Sequence, residues 1–314
     1  MRILYFHQHF STPLGNTGTR SYEMAKASLK KGHEVLMVCG SYDASFTGLT
    51  GDFQKGLRRG WVDGIEVLEL HMPYSNNQSF VVRTWIFLRF SLSAILIALK
   101  ERYDLVFCTS TPLTIALPGV VSKWIRRKPF VFEVRDLWPE LPRAMGVISN
   151  PLILWLMSML EFVAYRSANM CIALAPGIAE GIRKRGVSDS KIRLVSNGCD
   201  LNIFDDESIL PKRPKHLDDD DFLAVFCGAH GIANGLDAVL DAVEELKRRG
   251  RLDIKIALVG QGKMKPELMK RAENNRLDNL HFLDSMPKFA LVGLMKSADV
   301  GLMILANVPA FYRG

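Results

Sequence analysis

Residues 15–35 read GNTGTRSYEMAKASLKKGHEV. The apolar run RILYF stands before them and EVLMVCG closes them. Together they give a β-rich run, a loop of small residues, an amphipathic helix with Gly32 at its C-terminal cap, and a second β-rich run. Lys30 and Lys31 end the helix, where cations oppose its dipole. Such a loop at a helix N-terminus presents free N–H groups to an anion, a phosphate above all. A plain tight turn uses the same residues, so the loop alone does not identify the ligand.

The alternation continues outward. GIEVLEL, YDLVFCTS, PFVFEVRD, MCIALAP and IRLVSNG read as further strands separated by helical stretches, the pattern of a doubly wound parallel sheet. It breaks at 205–221, DDESILPKRPKHLDDDD, a polar, Pro-containing and charged stretch that reads as a linker. It restarts with FLAVFCG, IKIALVGQG, NLHFLDS and DVGLMIL. The expected division is a first domain at 1–204, a linker at 205–221 and a second α/β domain at 222–314. That second domain is short, and NVPAFYRG follows a strand with no closing helix. The expectation is a chain truncated inside its second domain.

Composition narrows the class. With 48% hydrophobic and 23% charged residues, the 314-residue chain is globular and not disordered. The five cysteines are scattered without a CxxC pair, which reads as buried reduced thiols of a cytoplasmic protein. No secretory apolar segment follows Met1. The net charge of +7 suits nucleic acid, an anionic membrane or phosphate-bearing substrates. No zinc-finger or aromatic RNA-binding motif is present, so nucleic acid is not the expected partner. The carboxylates Asp218–Asp221 read as a solvated linker and no metal is expected. Two apolar helices, 79–104 and 150–166, pack in a core or touch a bilayer. The longest uncharged run of the first, Phe90–Leu99, has ten residues, too few to span.

Several loops carry candidate chemistry. Gly15, Gly18, Thr19 and Arg20 form the first. They do not spell GxGxxG, and no acidic residue ends the second strand, so a dinucleotide is disfavoured. FVFEVRDLWPE places Glu133, Arg135, Asp136, Trp138 and Glu140 at the carboxyl end of a strand, the edge where open sheets bind ligands. A buried structural Arg–Asp pair is the competing reading. Asn197-Gly198 makes a turn. Gly228, His230, Gly231, Asn234 and Gly235 form a second glycine loop before a helix, and VGQGKMK repeats the device with Gly260, Lys263 and Lys265.

The ordered series of the loop at 15–20, KKGHEV at 30–35, EVRDLWPE at 133–140, VSNGCD at 195–200, GAHGIANGLD at 228–237, LVGQG at 258–262 and DVGLMIL near the end resembles bacterial glycosyltransferase family 4, the group 1 type, and within it the WbuB-like branch of O-antigen, capsule and exopolysaccharide synthesis. The resemblance implies the GT-B architecture, two Rossmann-like doubly wound domains facing across a cleft. It implies an acceptor on the first domain and a nucleoside-diphosphate sugar, a UDP-sugar first, on the second. Transfer with retention and without a metal or other cofactor follows from it, as does a polyprenyl-diphosphate-linked saccharide acceptor at the inner face of the cytoplasmic membrane.

On this reading Gly15, Gly18, Thr19, Arg20, Asn197, Gly198, Gly228, His230, Gly231, Asn234, Gly260 and Lys263 meet the donor. Arg135 and Asp136 are catalytic, and Glu133, Trp138 and Glu140 lie on the acceptor side. Arg135 stands where many relatives carry a His. Ala229 or His230 and Asn234 stand where relatives carry an Arg and a Lys. The family's acidic E-x7-E segment, expected after NVPAFYRG, is not in the sequence. That feature raises a second reading, an inactive fragment or a scaffold subunit of a glycan-assembly complex. A sugar-nucleotide epimerase or a sucrose- or trehalose-type synthase is the rival within the same fold.

Overall fold

The computed structural model describes residues 1–75, 78–214, 217–218 and 220–311. The chain divides into two units, Met1–Asn197 and Gly198–Phe311. In the first, β1 (Arg2–Phe6), α1 (Arg20–Lys30) and β2 (Glu34–Tyr42) form the strand–helix–strand unit expected from the glycine loop. Next come β3 (Leu57–Val62), β4 (Ile65–Tyr74), α2 (Phe80–Lys100), β5 (Leu105–Thr109) and α3 (Ala116–Trp124). β6 (Phe130–Val134), α4 (Glu140–Ala144), α5 (Pro151–Ser167), β7 (Met170–Ala173), α6 (Pro176–Lys184) and β8 (Ile192–Leu194) complete it.

These strands make an eight-stranded sheet in the order β3-β4-β2-β1-β5-β6-β7-β8. β1 lies between β2 and β5, parallel to both, so the chain reverses its winding there. Leu4, Phe6, Leu36, Val38, Val106, Phe130 and Phe132 point to a core closed by α2, α3, α5 and α6. Ile3, Tyr5, Val35, Met37, Cys39 and Val67 point the other way, where Phe10 and Ala25 of α1 cover them. Burial on both faces is why these strands read as continuous apolar runs.

β3 was not among the expected strands. It pairs antiparallel with β4 at the sheet edge, and only alternate residues of LRRGWV are shielded. Asp63 and Gly64 join the two strands with φ of 51° and 83°. That geometry is the favoured two-residue hairpin turn, for which Asp-Gly is suited.

The second unit contains α7 (Leu201–Phe204), β9 (Phe222–Cys227), α8 (Asp237–Arg248), β10 (Ile254–Val259), α9 (Lys265–Asn274), β11 (Leu280–Leu283), α10 (Lys288–Lys296) and β12 (Val300–Leu302). Its four-stranded parallel sheet has the order β11-β10-β9-β12. Phe226, Leu240, Val243, Leu258 and Leu268 form one core layer, and Leu223, Val225, Val259 and Leu294 another.

The stretch expected as a linker is, over its described residues, strapped to α10. Lys296 Nζ donates to the Asp206 and Ile209 carbonyls at 2.6 and 3.2 Å, and the Lys212 N–H donates to Gly293 O at 2.9 Å. Lys288 lies 3.6 Å from Asp200. These contacts put the boundary at Asn197/Gly198 and not at 204. Within the carboxylate run, the Asp218 N–H donates to Asp221 Oδ2 at 3.1 Å, and Arg213 donates to the carbonyls of both residues. Asp219 and the terminal residues 312–314 of NVPAFYRG lie outside the described residues.

Gly119 in α3 gives a direct test of this packing. A Cβ there comes within 2.1 Å of the Phe130 ring. Ala favours a helix over Gly by about 1 kcal/mol, but Phe130 is held in the core and cannot swing away. Gly119→Ala is expected to destabilise the protein by about 1–3 kcal/mol, as overpacking does, in urea denaturation.

Candidate active site

In the first unit the carboxyl ends of β1, β5, β6 and β8 bring polar side chains together around the winding reversal, the place where open α/β sheets bind ligands. Arg20 opens α1 and lies over the end of β6. Its Nε donates to Glu133 Oε1 at 3.0 Å, with Nη2 2.9 Å from the same oxygen. Nη1 donates to Ser196 O and Asn197 Oδ1, and Nη2 to Val195 O. These hydrogen bonds use four of the five donors of the guanidinium, and the ion-pair contact engages Nη2 a second time. Glu133 is buried, and its second oxygen accepts from Thr109 Oγ1.

Arg20 therefore ties α1 to β6 and to the end of β8, and its donors do not point at a diphosphate as expected. Glu133 is likewise committed to this pair and not displayed on an acceptor surface. Asn197 is brought to the site as the partner of Arg20.

Arg135 is arranged differently. Its backbone N–H donates to Ser110 Oγ at 2.9 Å, and its Nη1 lies 3.3 Å from His7 Nε2. A guanidinium can only donate. The Nε2 of His7 is therefore the acceptor, and Nδ1 carries the proton shared with Ser21 Oγ of α1. His7 is held neutral: burial first, then the charge of Arg135, push its pKa well below the ordinary value. Asp136 Oδ2 accepts from Thr111 Oγ1 at 3.0 Å. Arg135 and Asp136 thus lie past the carboxyl end of β6, against residues that follow β1 and β5. His7, Ser110 and Thr111 were missed, although HQH directly after the first strand is a visible signal at a ligand-binding edge.

The glycines of the first loop differ from one another. A Cβ on Gly15 comes within 2.1 Å of Ser11 Oγ and 2.7 Å of the Phe46 backbone nitrogen, so Gly15 serves close chain packing. At Gly18 a Cβ meets nothing within 4 Å. Thr19 begins α1 without a cap hydrogen bond from its side chain. Trp138 packs against the core, and Glu140 stands exposed at the start of α4. Glu140 lines a cavity of about 830 Å³ with Arg143, Trp155 and Arg185. Behind it Glu161 pairs with Arg185 at 2.7 Å, yet burial raises its carboxyl to about 7.

In the second unit the loops after β9 and β10 are pressed together. A Cβ on Gly260 comes within 2.0 Å of Gly228 O, and one on Gly262 within 2.3 Å of His230 O. His230 is 0% exposed, and its ring lies near Phe226 and Phe282. Neither ring nitrogen has a partner among the described residues. The expectation that His230 touches the donor is corrected by this burial: the ring fills the space beneath the two loops. Asn234 Nδ2 donates to Ala229 O, which keeps its amide inside its own loop. Gly231 has open space around it, Lys263 and Gly198 are exposed, and buried Lys265 bridges Gly260 O, Leu283 O and Asp284.

Two outcomes test these assignments. Arg20→Ala leaves the buried Glu133 carboxylate without its cation, and is expected to cost about 3–5 kcal/mol in denaturant unfolding. A purely ligand-binding arginine would leave stability unchanged. His230 has its pKa lowered to about 4, by burial and then by Lys265. Its unfolded form takes a proton near 6.5, so this contribution to stability is complete above about pH 6.5 and lost as pH falls towards 4. His230→Phe is expected to gain melting temperature over the native chain progressively below pH 6.5, in parallel thermal melts.

A glycosyl transferase 4-like domain model matches residues 15–198, and a glycosyl transferases group 1 model matches residues 209–305. A search of curated protein sequences finds no match. Among solved structures, sucrose-phosphate synthase from Thermosynechococcus elongatus is similar over 98% of this chain and 76% of its own, with TM-score 0.69 at 15% identity. Anabaena HepE in complex with UDP-glucose is similar over 96% and 73%, with TM-score 0.59 at 17% identity. WaaG, a glycosyltransferase involved in lipopolysaccharide biosynthesis, is similar over 97% and 75%, with TM-score 0.60 at 14% identity. At such identities the likeness shows the fold, and that fold is the GT-B architecture. The first model alone covers more than half of the residues, and on that ground the chain belongs to the group 1 glycosyltransferases with a 4-like N-terminal domain.

Proposed function

We propose that this glycosyltransferase moves a sugar, with retention of configuration, from a nucleoside-diphosphate sugar to a polyprenyl-diphosphate-linked saccharide at an anionic bilayer. O-antigen, capsule or exopolysaccharide assembly is the setting, within the WbuB-like branch of the family. The UDP-glucose bound by the similar HepE structure supports a UDP-sugar as donor. In the reaction the anomeric C–O bond of the donor breaks through an oxocarbenium-like state. The nucleoside diphosphate leaves as an anion, and the acceptor hydroxyl forms the new bond on the same face and passes its proton to the departing diphosphate oxygen. The charge that develops on the leaving group is met by N–H groups and cations. Arg135 suits that task better than Arg20, because only its Nη1 is committed, to His7, among the described residues. In the first unit Gly18 offers open backbone to a phosphate; in the second, Gly231 offers open backbone and Lys263 a charge.

One observation carries the lipid side of this reading. α2 buries Ile86, Phe90, Ala94 and Ala98 in the core, yet its outer face shows Val81, Trp85 (64% exposed), Leu88 and Leu92 (61% exposed). α5 likewise exposes Leu152, Trp155, Leu156, Met159 and Phe162, and α3 packs between the two helices. A helix apolar all round needs a second apolar medium. By length and composition α2 is able to cross a membrane, but its inner face belongs to the core, so it lies on the bilayer and does not span it. Exposed Arg89, Lys100, Arg127 and Arg166 add attraction to anionic lipid, about 1 kcal/mol each near the surface.

Flotation with vesicles tests the proposal. The chain is expected to float with phosphatidylglycerol vesicles, less with phosphatidylcholine, and to be released by salt. Trp85→Glu with Leu92→Glu is expected to abolish flotation at unchanged melting temperature. A native chain that remains unbound in every vesicle type defeats the lipid-linked acceptor.

A further inference from the structure

β3 is an outer strand of the first sheet, and part of its edge is open. In an antiparallel pair, hydrogen-bonded and non-bonded residue pairs alternate. The two-residue turn makes Val62 and Ile65 a bonded pair, and beyond the other end of the ladder the His71 N–H donates to Gly56 O at 2.9 Å. Gly60 and Arg58 therefore also bond towards β4, and the backbone groups of Leu57, Arg59 and Trp61 point outwards. Leu57 is already taken, because its N–H donates to Gln54 O at 3.0 Å and its C=O accepts from Gln54 N–H at 2.7 Å. The outward N–H and C=O of Arg59 and Trp61 have no hydrogen-bond partner among the described residues.

Folded proteins blunt such edges with charge, proline or a covering segment. LRRGWV holds no proline. Its two arginines are turned back onto their own chain and paired. Arg58 lies 2.8 Å from Glu69 and over the Phe53 ring, and Arg59 lies 2.7 Å from both Glu66 and Glu101. The segment before β3 crosses its α1 face and not its edge. A Cβ on Gly60 comes within 2.9 Å of Leu49 Cδ2, one on Gly48 within 2.5 Å of Val62 Cγ1, and Leu49 and Val62 pack in the core layer that holds Ala25. On the opposite face Trp61 stands 70% exposed.

We propose that this edge seats a second copy of the chain, the two β3 strands pairing antiparallel about a two-fold axis at Gly60. Arg59 of each copy then faces Trp61 of the other, and each such pair exchanges both of its hydrogen bonds. Gly60 meets Gly60 with no side chain between them. Each Arg59 guanidinium lies beside the indole of the other copy, a cation–π pair on the α2 side of the sheet. The neighbouring registers do not fit. One sets Arg59 against Arg59, like charges opposite each other, and Trp61 against Leu57, which Gln54 already holds. The other sets Arg59 against Asp63, whose carbonyl already accepts from Lys26 Nζ at 2.7 Å. The open stretch is thus complementary to itself, which is what a two-fold interface requires of one patch. That axis stands perpendicular to the sheet. The α2 helices of both copies therefore lie on one side of the joined sheet, where a single bilayer can meet them both.

Sedimentation velocity over a dilution series tests this, with reductant present because Cys199 is exposed. A monomer–dimer equilibrium is expected. Amide exchange followed by NMR over the same series reads the register. The Arg59 and Trp61 amides are expected to gain protection as concentration rises, while those of Gly60 and Val62, bonded to β4, stay protected throughout. Trp61→Lys sets a cation opposite Arg59 at an exposed position. It is expected to weaken the dimer by about tenfold or more at unchanged melting temperature of the dilute chain. The exposed apolar faces of α2 and α5 are the competing origin of self-association, so Trp85→Glu with Leu92→Glu is expected to keep the dimer. Four results overturn the proposal: a chain monomeric at every concentration, as when the edge takes only another protein's strand; a dimer whose Arg59 and Trp61 amides exchange as fast as in the monomer; a dimer indifferent to Trp61→Lys; or one lost with the α2 pair of substitutions.

Discussion

The ion pair between Arg20 and Glu133 joins parts of the first unit that no strand ladder connects. Glu133 ends β6 inside the core, where an unpaired carboxylate is costly, and Arg20 enters from the first turn of α1 to neutralise it. The remaining donors of the same guanidinium hold the carbonyls after β8. Helix, central strand and outer strand are thereby fixed at one edge of the sheet. Ser21 follows Arg20 in α1, so the pair also sets where His7 finds its partner. Through His7 it sets where Arg135 rests. The geometry of the candidate active site is built outward from this one contact.

Much of the architecture was legible because its physical cause is local. Buried parallel strands must be apolar throughout, and Gly32 closes α1 at φ 76° as its position implied. The edge strand β3 escaped because only alternate residues of LRRGWV are shielded and two arginines lie among them; Asp63-Gly64 was its real mark. The stretch at 205–221 looked like free linker because its composition is polar. What holds it are long-range bonds from Lys296 and the Lys212 N–H, which no local pattern encodes.

The sites show the same division. Sequence placed Arg135 and Asp136 just past the end of β6, since position after a strand is a local property. Whether a polar side chain faces a ligand or another part of the chain is decided by distant partners. Arg20 looked free and is engaged within the chain, His230 looked exposed among glycines and is buried, and Gln8 drew no notice until its burial left its amide without a partner among the described residues. Unsatisfied burial becomes visible only in three dimensions.

The interlocked loops of the second unit bear on how such a protein can change its ligand. Gly228, Gly260 and Gly262 each sit where a side chain collides with a neighbour, two of them with backbone, so the loops form one solid wall that drifts only as a whole. Gly18 and Gly231 face open space. Evolution or engineering can add a side chain at those two positions without disturbing the frame. Diversification of what the sites accept is therefore channelled through such open positions, Gly198 among them, while Gly228, Gly260 and Gly262 stay fixed.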